Sequence, residues 1–227
     1  MNNIGEKIWF ESRILDRKAH LDVFSSNKRP RAIVLLFGGS GIDEEEYCRR
    51  GKTLIPVFDQ LLSKSGILAD LTFVHATAPF DIPYARFNDF PDAIEKWNSH
   101  VTQELLRPWR ELPFLVSSFS GGACLAFNGI QANHRCIGGA ALGVDSLPDN
   151  FSCPRHWPEK LKIFSAPSDP VCNAISNRIV IDRMVNEGQA VDHLLPSGRH
   201  RLTDYATEHG LGKLLLDLSQ QESFEKG

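Results

Sequence analysis

The sequence predicts an α/β protein: a mostly parallel, twisted sheet with helices on both faces and an antiparallel hairpin at its N-terminal end. Three observations carry this. Apolar, β-branched runs recur along the chain: "RAIVLLF" (31–37), "DLTFVHA" (70–76), "PFLVSS" (113–118), "CIGGAALGV" (136–144), "KLKIFSA" (160–166) and "AVDHLLP" (190–196). Runs without polar alternation suit strands buried on both faces. Stretches of helical spacing separate most of them, and that alternation implies parallel pairing. Each run also stops at glycine, proline or small polar residues, which mark tight turns.

The elements follow in order. "KIWFESRIL" and "KAHLDVFSS" read as two short strands meeting near Asp16 and Arg17, a hairpin. "RAIVLLF" runs into "GGSG" (38–41) and an acidic stretch, so a strand and tight turn lead to a helix start near Asp43. "FPDAIEKWNSHVTQELLRPW" (90–109) sets Ile94, Trp97, Val101 and Leu105 on one helical face. "GACLAFNGI" (122–130) is the helix after the third core strand. A helix with Ile175, Ile179, Ile181 and Met184 among its apolar positions precedes the last strand, and residues 202–218 form a final helix.

The 227 residues suit one domain, 1–227, with a substantial core. Apolar residues at 42% and charged residues at 23% are ordinary for a soluble globular chain, and a net charge of -3 with scattered basic residues gives no nucleic-acid face. Charges interrupt every apolar run of "MNNIGEKIWFESRILD", so a signal peptide or membrane anchor is not expected, and no run is long enough to span a bilayer. Five cysteines, odd in number and far apart, suit free thiols in a reducing cytoplasm. Cys153 and His156 stand three apart without a second ligand pair, so no metal and no cofactor are expected. "RRGKT" (49–53) has Glu46 where a phosphate loop needs glycine, and "GSGIDE" has Glu44 in place of the third glycine of a dinucleotide fingerprint.

Ligands of parallel sheets bind beyond the carboxyl ends of the strands. That rule selects "GGSG", "TAPFDIPYARF" (77–87), Ser120, "PSDP" (167–170) and "PSGRH" (196–200). Ser118-Phe119-Ser120-Gly121-Gly122 sits between strand and helix with small residues flanking Ser120, as a sharp nucleophile elbow requires. A serine hydroxyl needs a base, and the base an orienting carboxylate. Asp169 follows one later strand and His200 another; Asp145 also follows a strand and stands as an alternative acid. His193 lies within its strand and reads as a satisfied sheet histidine, His209 as a solvated helix residue, and His75 and Cys124 as packing. Ser117 and Ser118 precede the turn and face the sheet.

With these pieces in place the sequence resembles the α/β-hydrolase superfamily, specifically its carboxylesterase and acyl-protein thioesterase branch. "FSGGACLAF" resembles the elbow and its helix, "LLFGGSGID" the oxyanion loop, "FVHATAP" the next strand and turn, "APSDPVC" the acid loop, and "PSGRHRL" the histidine loop. The likeness runs from about residue 31 to 218. Phe37 stands where many relatives place histidine, Gly39 where a bulkier residue is usual, and Ser118 where glycine is commoner. The resemblance implies the α/β-hydrolase fold and a serine hydrolase acting on a carboxylic ester or thioester. Ser120 would be nucleophile, His200 base and Asp169 its orienting acid, with the N–H groups of Gly39 and Gly121 as oxyanion donors. An inactive binding protein on the same fold, or a peptidase or amidase with the same triad, are the alternatives.

The stretch "DSLPDNFSCPRHWPE" (145–159) is too short for a lid domain, so an open mouth rimmed by Phe151 and Trp157 is expected. Phe80, Tyr84, Phe87 and Phe90 would add an aromatic wall suited to an acyl chain or aryl group, unless they simply pack their own loop. The partner is then a small-molecule or acyl-carrier substrate; oligomeric state is not legible.

Overall fold

A computed structural model describes residues 6–25, 30–37, 71–76, 91–122, 126, 130, 133–144, 147, 151–157, 160–171, 175–196, 199–200 and 205. Its strands are β1 (Glu6–Ser12), β2 (Arg17–Ser25), β3 (Ala32–Phe37), β4 (Leu71–Ala76), β5 (Phe114–Phe119), β6 (Cys136–Leu142), β7 (Leu161–Ser165) and β8 (Ala190–Leu194). Two helices are described over their length, α1 (Pro91–His100) and α2 (Ile175–Asn186). The helix start near Asp43, most of the helix after Ser120, and the final helix apart from Tyr205 lie outside the described residues, as do Asp145, Cys124 and His209.

The eight described strands form one sheet in the order β1-β2-β4-β3-β5-β6-β7-β8. The hairpin β1–β2 and the contact β2–β4 are antiparallel, and every pair from β4 to β8 is parallel. The chain reverses its direction of travel across the sheet at β3, which pairs with β4 on one side and β5 on the other. Such a switch point opens a crevice at the carboxyl ends of the strands.

Burial explains the continuous apolar runs. Ile33, Leu35 and Phe37 join a hydrophobic cluster with Trp97, Val101, Phe114, Val116, Ala141 and Ile163. Val34, Leu36, Leu115, Leu142 and Phe164 alternate to the opposite face and are buried too. With both faces covered, neither tolerates the polar alternation of a half-exposed strand.

The expected helix over 90–109 is three segments. After α1, residues Val101–Leu105 widen into a π turn, closed by Leu106 N–H donating to the Val101 carbonyl at 3.0 Å, and Arg107–Trp109 tighten to a 3₁₀ turn. Pro108 has no N–H to continue an α-helix, and the extra residue in the wide turn lets Trp97, Val101, Leu105 and Leu106 all be buried. The same turn anchors the hairpin. The Glu104 carboxylate accepts from the backbone N–H groups of Arg13 (2.8 Å) and Ile14 (3.3 Å), from Ser12 Oγ (2.5 Å) and from His100 Nδ1 (2.7 Å). Burial opposes its ionisation, but these bonds together hold its pKa below the usual carboxylate value. At the hairpin's corner Asp16 adopts φ 55, a left-handed conformation that short polar side chains tolerate.

On α2 the buried face is Asn177, Val180, Ile181 and Met184, whereas Ile175 and Ile179 are exposed. The buried set recurs at helical spacing, and those two isoleucines fall on its outer side.

Candidate active site

Parallel strands bring three side chains to one edge of the sheet. Ser120 follows β5, Asp169 lies in the turn after β7, and His200 lies beyond β8. The Ser120 N–H donates to the Leu142 carbonyl at 3.0 Å, extending the β5–β6 ladder by one residue, while φ turns to 53°. A non-glycine residue in this left-handed region carries strain of about 1–2 kcal/mol. His200 is held the same way, at φ 54°. Backbone strain of this kind collects where geometry is fixed for function.

The hydrogen bonds form a continuous line. His200 Nδ1 lies 3.0 Å from Asp169 Oδ2 and 3.1 Å from Oδ1, and His200 Nε2 lies 2.8 Å from Ser120 Oγ. An ionised carboxylate only accepts, so the imidazole carries its proton on Nδ1. Nε2 is then an acceptor, and Ser120 O–H donates to it. The Ser120 side chain is buried and that of His200 is 19% exposed, so the line reaches the surface through the imidazole.

Asp169 is fully buried. Besides His200, its carboxylate accepts from the Tyr205 hydroxyl on Oδ2 and from the Val171 N–H on Oδ1 at 2.8 Å. Its own N–H donates to the Ala166 carbonyl at 3.0 Å, which closes the turn. A second set of polar contacts ties together the strands carrying the acid and histidine loops. Ser165 Oγ donates to Asp192 Oδ1 at 2.6 Å, and the Leu195 N–H donates to the Ser165 carbonyl at 2.8 Å. Arg178 of α2 donates to Asp182 at 2.6 Å and to Asp192 at 2.8 Å. The Asp182 bond, joined by Asp192 and opposed by partial burial, raises the guanidinium above its ordinary pKa.

Gly121 is buried immediately after Ser120, at the start of the following helix. Gly39, Phe80, Tyr84, Phe87 and Asp145 lie outside the described residues. Phe151 and Trp157 are not an exposed rim: both are buried in the hydrophobic cluster. The segment carrying them is drawn down by bonds from the Cys153 N–H to Gln189 Oε1 (3.0 Å) and from Arg183 to the Phe151 carbonyl, and it turns on itself through the Trp157 N–H to the Pro154 carbonyl (3.2 Å). His193, near the carboxyl end of β8, is exposed and stacks on Phe164 at 4.9 Å; among the described strands β8 lies at the edge of the sheet. Ser117 and Ser118 are buried within β5. Burial pushes the Cys136 thiol up to about 12 and the Cys153 thiol up to about 11. Sequence reasoning missed Tyr205. Its only signal is a tyrosine five residues beyond a loop histidine, and nothing in its spacing indicates a contact with Asp169.

Sheet order, hairpin and the strand-end loops define the α/β-hydrolase fold. Solved structures share it. The chain superposes on the enterobactin esterase of Shigella flexneri, in the presence of 2,3-dihydroxy-N-benzoyl-glycine, with TM-score 0.66 and 16% identity, over 97% of this chain and 60% of that one. An IroE-like serine hydrolase from Shewanella oneidensis matches with TM-score 0.64 and 12% identity, over 96% and 82%. A ferulic acid esterase from the anaerobic fungus Anaeromyces mucronatus matches with TM-score 0.61 and 14% identity, over 93% and 88%. The chain thus spans about 60% of the length of the enterobactin esterase. No protein-family model matches the chain, and no curated protein does. Among the described residues, no helix is long and apolar enough to cross a membrane.

Proposed function

We propose that this protein is a serine hydrolase that cleaves a carboxylic ester or thioester through an acyl-enzyme, with Ser120 as nucleophile, His200 as general base and Asp169 as the orienting acid. The observation that carries the reading is the unbroken line from Ser120 Oγ through both nitrogens of His200 to the Asp169 carboxylate. His200 Nε2 takes the hydroxyl proton as Oγ attacks the substrate carbonyl carbon, and the imidazolium is stabilised by the buried carboxylate. The tetrahedral oxyanion meets the Gly121 N–H beside the nucleophile, with the Gly39 N–H as second donor. Collapse returns the proton from Nε2 to the leaving alkoxide or thiolate. A water deprotonated by the same nitrogen then frees the acid.

The esterase names of the structural neighbours support an ester over an amide. Two of those names carry an aromatic acid, ferulic acid and a dihydroxybenzoyl glycine, so aryl esters belong in the substrate panel. The protein is read as a single domain over residues 1–227, acting on a small molecule or acyl carrier without a metal or other cofactor.

A fluorophosphonate probe tests the reading. Wild-type protein is expected to be labelled on Ser120, and Ser120→Ala to be inert. Failure of the wild type to react, while still folded, favours a binding protein on the same fold. A panel of p-nitrophenyl esters, feruloyl esters, acyl-CoA thioesters and peptide amides then identifies the leaving group.

A further inference from the structure

We propose that Tyr205 is a positioning residue for the acid: its hydroxyl shares Asp169 Oδ2 with His200 and so sets both the orientation and the hydrogen-bonding strength of that carboxylate. The inference rests on the serine-hydrolase reading of the site. Tyr205 is fully buried, and a phenol placed so deep needs a hydrogen-bond partner; it donates to Asp169 Oδ2, the oxygen that His200 Nδ1 approaches at 3.0 Å. Two neighbours hold the ring in place. Phe119, the residue before the nucleophile, lies 5.1 Å from the His200 ring and 6.1 Å from the Tyr205 ring, so one side chain packs against both partners of the carboxylate. On another side the ring rests on Gly143, at the end of β6. A Cβ there would come within 2.9 Å of Tyr205 Cε2, and the backbone stands at φ +52°. Only glycine meets both demands without strain, so the end of β6 leaves room for this ring beside the acid.

Without the hydroxyl, Asp169 loses one of the bonds that fix its plane, and the freed oxygen binds the His200 Nδ1 proton more strongly. The carboxylate is then less well oriented for holding the imidazole toward Ser120. Substrate binding involves neither effect, so the loss falls on turnover.

Tyr205→Phe keeps the ring and its packing on Gly143 and Phe119. A charge-assisted hydrogen bond lost at a positioned site lowers kcat by about tenfold to a hundredfold, with KM within about twofold. The low-field proton resonance of His200 Nδ1–H is expected to move further downfield. Wild-type kcat with an unmoved resonance overturns the positioning role, and so does a rise in KM alone. Fluorophosphonate labelling separates the two readings. An inert wild type ends the serine-hydrolase reading and this proposal with it, whereas a labelled wild type beside an indifferent Tyr205→Phe ends this proposal alone. Should Tyr205→Phe not fold, the wild-type spectrum decides. A shared carboxylate requires two slowly exchanging low-field protons, one from His200 Nδ1–H and one from the Tyr205 hydroxyl, and a single one overturns the proposal.

Discussion

Replacing Asp169 by asparagine perturbs one atom and, through it, the tautomer of His200. The carboxylate accepts on both oxygens: Val171 N–H at Oδ1, Tyr205 O–H at Oδ2, and His200 Nδ1–H between them. An asparagine side chain offers one acceptor and one NH₂ donor. If its NH₂ faced Val171, two buried donors would collide, and a backbone N–H cannot rotate away. The Tyr205 hydroxyl can rotate and accept instead. The amide oxygen therefore takes the Oδ1 position, and the NH₂ takes the Oδ2 position, 3.0 Å from Nδ1. The NH₂ at 3.0 Å repels an Nδ1 proton, and the amide oxygen at 3.1 Å is already engaged by Val171 N–H, so the expected tautomer carries its proton on Nε2, which confronts Ser120 and leaves it without a base. A triad locked in the wrong tautomer loses on the order of 10⁴ in kcat, or about 5 kcal/mol of transition-state stabilisation, as measured for the corresponding substitution in a serine protease. The assay is steady-state hydrolysis of the best p-nitrophenyl ester, with 15N-edited NMR of the imidazole to read the tautomer. A kcat within tenfold of wild type, or an Nδ1-protonated His200 in Asp169→Asn, would refute the reasoning.

Ser120→Gly removes the proposed nucleophile and relieves the left-handed backbone at φ 53°. Strain relief of about 1–2 kcal/mol, less about 0.5–1 kcal/mol of extra chain entropy, leaves stability unchanged or higher while turnover vanishes; a urea midpoint well below wild type contradicts this. Glu104→Gln weakens the anchor between the π turn and the hairpin and costs about 1–3 kcal/mol near neutral pH. Because the folded-state pKa of Glu104 is depressed, its carboxylate contributes fully above the ordinary carboxylate range and loses that contribution as pH falls through the folded value. The gap between wild type and Glu104→Gln in urea unfolding should therefore close in acid, and a pH-independent gap would count against it. Cys136 and Cys153, whose thiols burial raises to about 12 and about 11, should resist iodoacetamide at pH 8 in folded protein and react once unfolded. Peptide mass mapping reads that directly, and rapid native-state alkylation of either would overturn it.

The strands were legible because two-sided burial writes itself into the chain as unbroken apolar runs. "RAIVLLF" has nearly the same bounds as β3, and both faces of that strand are buried. The hairpin was legible from its two short strands and the Asp16 corner. That Ser120, Asp169 and His200 each follow a parallel strand could also be read off, since the carboxyl ends of such strands share one edge. Other features were not local. Helical periodicity in 90–109 gave no sign of the π turn over Val101–Leu105, whose Glu104 is engaged by the distant hairpin. Ile175 and Ile179 look like core residues in one dimension, yet the neighbours of α2 select Val180 and Met184. Phe151 and Trp157 look like rim residues in a short connection, but backbone contacts to Gln189 and Arg183 pull that connection inward.

The chain by itself determined the sheet and the edge at which Ser120, Asp169 and His200 would meet, because hydrophobic period and turn composition are properties of neighbours in sequence. Only the tertiary structure decided which polar atoms meet. The bond from Tyr205 to Asp169, the room that Gly143 leaves for it, and the link from Ser165 through Asp192 to Arg178 join residues far apart in the chain. Hydrogen bonds depend on direction and on distances of a few tenths of an ångström, and those are fixed only when the elements pack.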